Sequence, residues 1–260
     1  IKDIKYLDLL LFLTILIISS TRWEVGGDWR TYTKYYVFIE QDNIYKDPLF
    51  YAIHVLLKFF NFDLLGKNIV LSFLFLLPFY YVFKKNYENI YLAICIFFPI
   101  IFLVYGLGSL RQGLAIAYFF LFLYYDGNKY IKISLAFVPL FFHVSSIFII
   151  LFYFTTQIFF ISNTKEKIIY FIASIVVVLS FLFYSDIFFG YVKYYVLQDT
   201  FKSVGAPFRA FLISIFALIY LLKSSKKNTN PFYNFVKISS IFVLLVFPAS
   251  FFFTTPVDRI

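Results

Sequence analysis

Long apolar runs separated by short clusters of lysine set the tightest limit on what this chain can fold into. Residues 6–20, 69–83, 90–105, 110–125, 168–184, 208–222 and 235–253 each approach the roughly 20 apolar residues that a membrane-spanning helix needs. Flanking aromatic and amide residues extend the shorter runs toward the headgroups. Composition agrees: 62% of the 260 residues are hydrophobic and 14% charged, against roughly 25% charged in a soluble domain. So few charges cannot solvate a surface that must also carry 40 Phe and 23 Tyr. A soluble globule is excluded, and lipid is the solvent for most of the chain.

The net charge of +9 has a topological reading. Lys84 with Lys85, Lys129 with Lys132, Lys165 with Lys167, and Lys223 with Lys226 and Lys227 lie between apolar runs, where basic residues hold loops on the cytoplasmic side. Cations clustered in this way do not describe a nucleic-acid face, and no nucleic-acid partner is expected. The single Cys95 sits in an apolar run, which leaves no disulfide framework and no thiol cluster. Run 6–20 has the short apolar core of a secretory signal, but no small-residue cleavage site follows it, so it is read as a retained helix.

Keeping every lysine cluster inside requires an even number of crossings between successive clusters. Residues 90–105 and 110–125 satisfy this through a tight outer turn at Gly106, Leu107, Gly108 and Ser109. Residues 133–161 would make a single helix of about 44 Å, too long for a hydrocarbon core of about 30 Å. Two short spans fit better, broken after Pro139 with His143 at the outer end and a serine of the Ser145–Ser146 pair as N-cap. Residues 47–63 are only moderately apolar and carry His54 and Lys58; they read as a helix in the outer interface, with Pro48 in its first turn.

The expected fold is all-α: a polytopic integral membrane protein of about nine spans, with a broken hairpin near His143 and an outer interfacial helix. It forms one multi-pass domain over residues 1–260, with its outer loop and interfacial helix at 21–66. The chain begins at Ile1 without Met and stops without a polar tail, so it is expected to be a piece cut at both ends.

This topology separates the two kinds of cation. All five arginines, Arg22, Arg30, Arg111, Arg209 and Arg259, fall outside, and the inner cations are all lysine. The planar guanidinium fork suits bidentate binding of phosphate or carboxylate, whereas lysine suffices for topology. Attention therefore goes to the outer face.

The first outer loop, running from Arg22 to Tyr36, places Asp28 as an N-cap before a stripe of Tyr32, Tyr35 and Tyr36. One reading is a capped interfacial helix with Trp23 and Trp29 in the aromatic belt and Arg22 among headgroups. The other has Arg22 and Asp28 facing a polar cavity.

Arg111 stands at the outer start of a span, followed by Gln112 and by small residues that permit close helix approach. A cation there opposes the helix dipole, so helix stability does not account for it. Either it snorkels to lipid phosphates, or it forms an anion site with the free amides of the helix start. His143 is the only histidine in a span-like region. It is either a hydrogen-bonded structural group or, at the same depth as Arg111, a proton acceptor.

Gly-rich phosphate loops, zinc-type His-Glu spacing, Ser-His-Asp patterns and acidic pairs for a metal-bound sugar nucleotide are all missing. Any chemistry is expected to be metal-independent and without a cofactor. On the outer face, where nucleoside triphosphates are not supplied, it would use a lipid-borne, pre-activated substrate.

Four elements, taken in order, resemble the EpsG family of bacterial exopolysaccharide proteins, which is similar to Wzy-type polysaccharide polymerases. They are Arg22, Gly26, Asp28 and Tyr32 in the first outer loop; Asp47-Pro48-Leu49-Phe50-Tyr51; Arg111-Gln112-Gly113-Leu114-Ala115; and Phe142-His143-Val144-Ser145-Ser146. Arg259 matches a late outer arginine of that family, after which further spans are expected.

The resemblance implies a membrane glycosyltransferase of the bacterial cytoplasmic membrane that polymerises oligosaccharide repeat units carried on undecaprenyl diphosphate at the outer leaflet, in exopolysaccharide or capsule biosynthesis. It implies that Arg111, with Arg22 or Arg259, holds the leaving diphosphate, and that His143 takes the proton of the attacking sugar hydroxyl. Asp28, Tyr32, Gln112 and Arg209 join Arg22 and Arg259 as substrate-binding candidates. Expected partners are the lipid-linked oligosaccharide, membrane lipid, and a chain-length regulator or export proteins. Two other functions fit an outer-face arginine set: a transporter or flippase for a lipid-linked sugar, and a non-catalytic scaffold of an export complex.

Overall fold

The lysine-separated runs fold as helices, and every regular element among the described residues is helical. The structure is a computed structural model that describes residues 6–26, 28–37, 47–87, 89–183, 206–223 and 231–248. It divides into two compact units, Ile1–Ile147 and Phe148–Ile260.

The first unit holds α1 (Leu7–Ser20), α2 (Trp29–Val37), α3 (Pro48–Phe59), α4 (Leu64–Asn86), α5 (Ile90–Phe97), a π-helix (Phe98–Gly106), α6 (Leu110–Tyr124) and α7 (Lys129–Phe142). Of these, α4 has the length and apolar character to cross a membrane by itself. Helices α1, α3 and α6 and residues Tyr130–Phe142 are shorter and apolar. Pro48 opens α3 as expected, at a position where its missing N–H is an orphan anyway. The run 90–105 is one continuous helix that changes winding: the π-helix starts at Phe98, directly after α5, and Pro99 in its first turn cannot donate an i→i−4 bond.

The core of this unit is aromatic. Phe79 packs against Phe97 at 4.6 Å and Phe120 at 5.2 Å between ring centres, joining α4, α5 and α6. Gly113 lets α6 come close to the π-helix, since a Cβ there would lie 2.8 Å from the Tyr105 carbonyl oxygen. Large apolar side chains also face outward: Leu10, Ile17 and Leu92 are each about 60% exposed. An apolar exterior of this extent calls for lipid rather than water.

The two ends of the unit differ in charge. At one end the start of α1 meets the end of α4, where Lys84 pairs with Asp8 at 3.1 Å and Lys85 pairs with Asp126. Arg22, Arg111 and His143 lie at the opposite ends of their helices. Helix α7 stops at Phe142, His143 is extended, and α8 (Ser146–Phe160) begins after a short turn, so the expected break is present. Of the serine pair, Ser145 stands immediately before α8, and Ser146 Oγ donates to the His143 carbonyl at 2.7 Å.

The second unit takes in α8 from Phe148, α9 (Thr164–Phe183), α10 (Ala206–Lys223) and α11 (Pro231–Val246). Tyr153 of α8 stacks edge-on against Phe235 at 5.1 Å, and Phe152 lies 5.9 Å from Phe242. Phe171, Leu179 and Leu245 point outward, again as a lipid-facing surface does. The distal ends of runs 168–184 and 235–253 fall outside the described residues.

Candidate functional site

The amphipathic pattern of α2 places Trp29, Tyr32 and Tyr36 on one face, and all three are buried. A cation stacks on each part of that stripe. The Arg22 guanidinium lies 5.9 Å from the centre of the Trp29 ring, and Lys67 Nζ lies 5.7 Å from the same ring and 5.4 Å from Tyr36. Arg111 lies 5.4 Å from Tyr32. Cation–π contacts of this kind stabilise desolvated charge by about 2 kcal/mol or more.

The chain leading into α2 is held by a close backbone approach. Gly26 has φ +94°, and a Cβ there would meet the Leu107 carbonyl oxygen at 2.5 Å. From the same loop Arg22 donates through Nη1 to the carbonyls of Gly106 (2.7 Å) and Leu107 (3.0 Å). These carbonyls end the π-helix and its following turn, so a loop cation satisfies acceptors that a helix end leaves open. Burial pulls the Arg22 pKa down to about 10, partly offset by Tyr32. It stays charged at neutral pH.

A second layer surrounds Asp47, the residue immediately before α3. Arg111 Nη1 donates to Asp47 Oδ2 at 2.7 Å, and His143 Nδ1 faces Asp47 Oδ1 at 3.5 Å. Burial works to raise the Asp47 pKa, but the contact with His143 and the charge of Arg111 outweigh it and hold the carboxyl below the usual carboxylate range. Tyr32 ties this layer to α2: its hydroxyl donates to Asp28 Oδ2 at 3.0 Å and accepts the Arg111 amide at 3.3 Å. Burial raises the Tyr32 pKa, with Arg111 opposing it, so the phenol stays protonated.

The EpsG family model matches residues 5–260. The chain belongs to the EpsG family. No curated protein and no solved structure matches it. EpsG membership ties this helical membrane protein to exopolysaccharide formation.

Within this EpsG chain, Arg22, Asp28, Tyr32, Arg111 and His143 gather at one end of the first unit. Asp28 stands immediately before α2 as expected, its carbonyl accepting the Tyr32 amide at 2.9 Å, while its side chain accepts the Tyr32 hydroxyl at 3.0 Å. Two details differ from the sequence-based expectation. Arg22 is buried against backbone carbonyls rather than solvated by headgroups. The anion that Arg111 meets is Asp47, and the Arg111 amide is taken by Tyr32. Gln112 follows on α6, half-buried. Arg209 belongs to α10 in the second unit, and its side chain is not among the described positions. Arg259 lies outside the described residues.

Sequence reasoning passed over two residues that the EpsG chain brings to this end. Asp47 carried a signal: an acid directly before a proline-opened helix, inside one of the quoted motifs. Lys67 carried a weaker one, a cation at the start of an apolar run that belongs to no lysine cluster. His54 lies nearby on α3, where Nδ1 donates to the Phe50 carbonyl at 2.8 Å and Nε2 has no partner among the described residues. Burial, reinforced by the charges of Lys67 and Arg111, pushes its pKa down to about 4.

Proposed function

We propose that the chain joins oligosaccharide repeat units carried on undecaprenyl diphosphate, at the outer leaflet of the bacterial cytoplasmic membrane. The observation that carries this reading is the cluster of Asp47, Arg111 and His143, in which one carboxylate contacts both an arginine and a histidine.

A proton on Nδ1, the nitrogen that faces Asp47, leaves the Nε2 lone pair available as a base in this reading. The acceptor sugar hydroxyl attacks the anomeric carbon of the donor. His143 Nε2 takes its proton, the bond from the anomeric carbon to the phosphate oxygen breaks, and lipid diphosphate leaves with the electron pair. Arg111 and Arg22 offset the charge that builds on the leaving group. The 3.5 Å contact between His143 and Asp47 is loose, as catalytic contacts often are before substrate arrives.

The test is chain extension by purified protein given lipid-diphosphate-linked repeat units. Arg111→Ala and His143→Ala are expected to abolish it, the His143 variant with the fold intact and the Arg111 variant with a lowered melting temperature because Asp47 is left uncompensated. Full activity in both variants would overturn the scheme. In cells, loss of the protein is expected to accumulate single lipid-linked repeat units that have already reached the outer leaflet, which loss of a flippase does not produce.

A further inference from the structure

Charge balance at the arginine end is uneven. Arg111 has a carboxylate partner in Asp47, but Arg22 and Lys67 have none within ion-pair distance among the described residues. Both are more than nine-tenths buried, Lys67 at 1% and Arg22 at 7% exposure. Both lie within 6 Å of the centre of the same Trp29 ring. The Arg22 Nε–H also lacks an acceptor.

Burying a lysine without a counter-charge costs several kcal/mol before compensation, and aromatic faces return only part of that. Fold stability therefore gives no reason for a cation at position 67. A ligand that brings two or more negative charges does.

We propose that Lys67 and Arg22, over the indole of Trp29, form a subsite for the diphosphate of a lipid-linked substrate. Arg111 pairs with Asp47 and stacks on the neighbouring Tyr32. The ligand's identity rests on the polymerase reading; the existence of an anion site at Lys67 rests on burial and charge alone. Two phosphates meet two cations in a desolvated setting, where charge-assisted hydrogen bonds are strongest.

The chain has two tryptophans, and Trp29 is the one beneath both cations. In a Trp23→Phe background of the full chain, in phosphatidylcholine nanodiscs, Trp29 emission reports occupancy directly. Inorganic pyrophosphate and undecaprenyl diphosphate are each expected to change that emission saturably. Lys67→Met is expected to weaken both at least tenfold, and Lys67→Arg to recover most of the loss. Because Lys67→Met removes an uncompensated buried charge, it is also expected to melt at the same temperature or higher, which a purely structural lysine would not do.

Binding by Lys67→Met within twofold of the parent would overturn the subsite. So would failure of both Lys67→Met and Lys67→Gln to fold, since that would make the lysine structural. An equal, Lys67-dependent response to phosphatidylglycerol nanodiscs would assign the site to lipid headgroups and overturn the substrate assignment. Lys67-dependent pyrophosphate binding with no chain extension by the parent would keep the subsite and discard the polymerase. Chain extension by the parent with unchanged binding in Lys67→Met would do the reverse.

Discussion

Asp47 and Arg111, 64 positions apart, meet at 2.7 Å with the carboxylate almost fully buried. Neither residue has a reason to be there without the other. Removing one member of a buried pair typically costs about 3–5 kcal/mol, because the survivor is left uncompensated. Asp47→Ala is therefore expected to lower the melting temperature sharply and abolish chain extension. Asp47→Asn, which keeps the shape, should lose activity with a smaller drop in stability. A thermal melt in detergent beside an extension assay checks both.

Asp47 also fixes the acid behaviour of this pair. Its folded pKa lies below the ordinary value, so its stabilising contribution is present above the unfolded carboxylate pKa and is lost only as pH falls through the lower folded value. Comparing wild type with Asp47→Asn, the stability difference should stay constant from pH 7 to 5 and shrink only below about pH 4.

His54 predicts a separate acid limb. With its pKa down at about 4, the folded state refuses a proton that the unfolded chain accepts near pH 6.5. Stability should fall between about pH 6.5 and 4, by up to about 3 kcal/mol. His54→Phe should flatten that limb in chemical denaturation measured at pH 7 and pH 4.5.

Tyr32→Phe keeps the ring under Arg111 but deletes the hydroxyl that joins Asp28 to the Arg111 amide. Leaving those groups unmatched should cost about 1–3 kcal/mol. Slower extension at saturating substrate, with the fold intact by circular dichroism, is the expected outcome; unchanged kinetics would remove Tyr32 from the site.

Gly26→Ala tests the loop that carries Arg22. A non-glycine at φ +94° costs about 1–3 kcal/mol in conformation, and its Cβ would collide with the Leu107 carbonyl. Hydrogen exchange at residues 104–109 should accelerate as the Arg22 contacts to Gly106 and Leu107 loosen.

Hydropathy and lysine placement made most of the first unit's helices legible, because lipid demands long apolar stretches and the stretches are visible one by one. The break at His143 was legible for the same reason: 133–161 is too long for one span and Pro139 marks where to divide it. The winding of Phe98–Gly106 was not, since a π period differs too little from an α period to shift an apolar pattern. At the site, Arg22, Arg111 and His143 each stood out as costly residues at span ends. What the sequence did not disclose was partnership: that Arg111 would meet Asp47, that Asp28 would meet Tyr32, and that Lys67 would share a tryptophan with Arg22. The Arg111–Asp47 and Lys67–Arg22 associations are made by packing between segments far apart in the chain, whereas Asp28 and Tyr32 meet four residues apart at the start of α2.

Helices α1, α6 and α8 have 14, 15 and 15 residues, about 21–23 Å of axis for a hydrocarbon layer of about 30 Å. In the multi-span reading of the sequence, a bilayer around them has to thin, at a cost of fractions of a kcal/mol for each ångström. The dimple so formed lowers the lipid headgroups toward Arg22 and Arg111, and acyl-chain length becomes a variable that sets how well the protein works without changing a single residue.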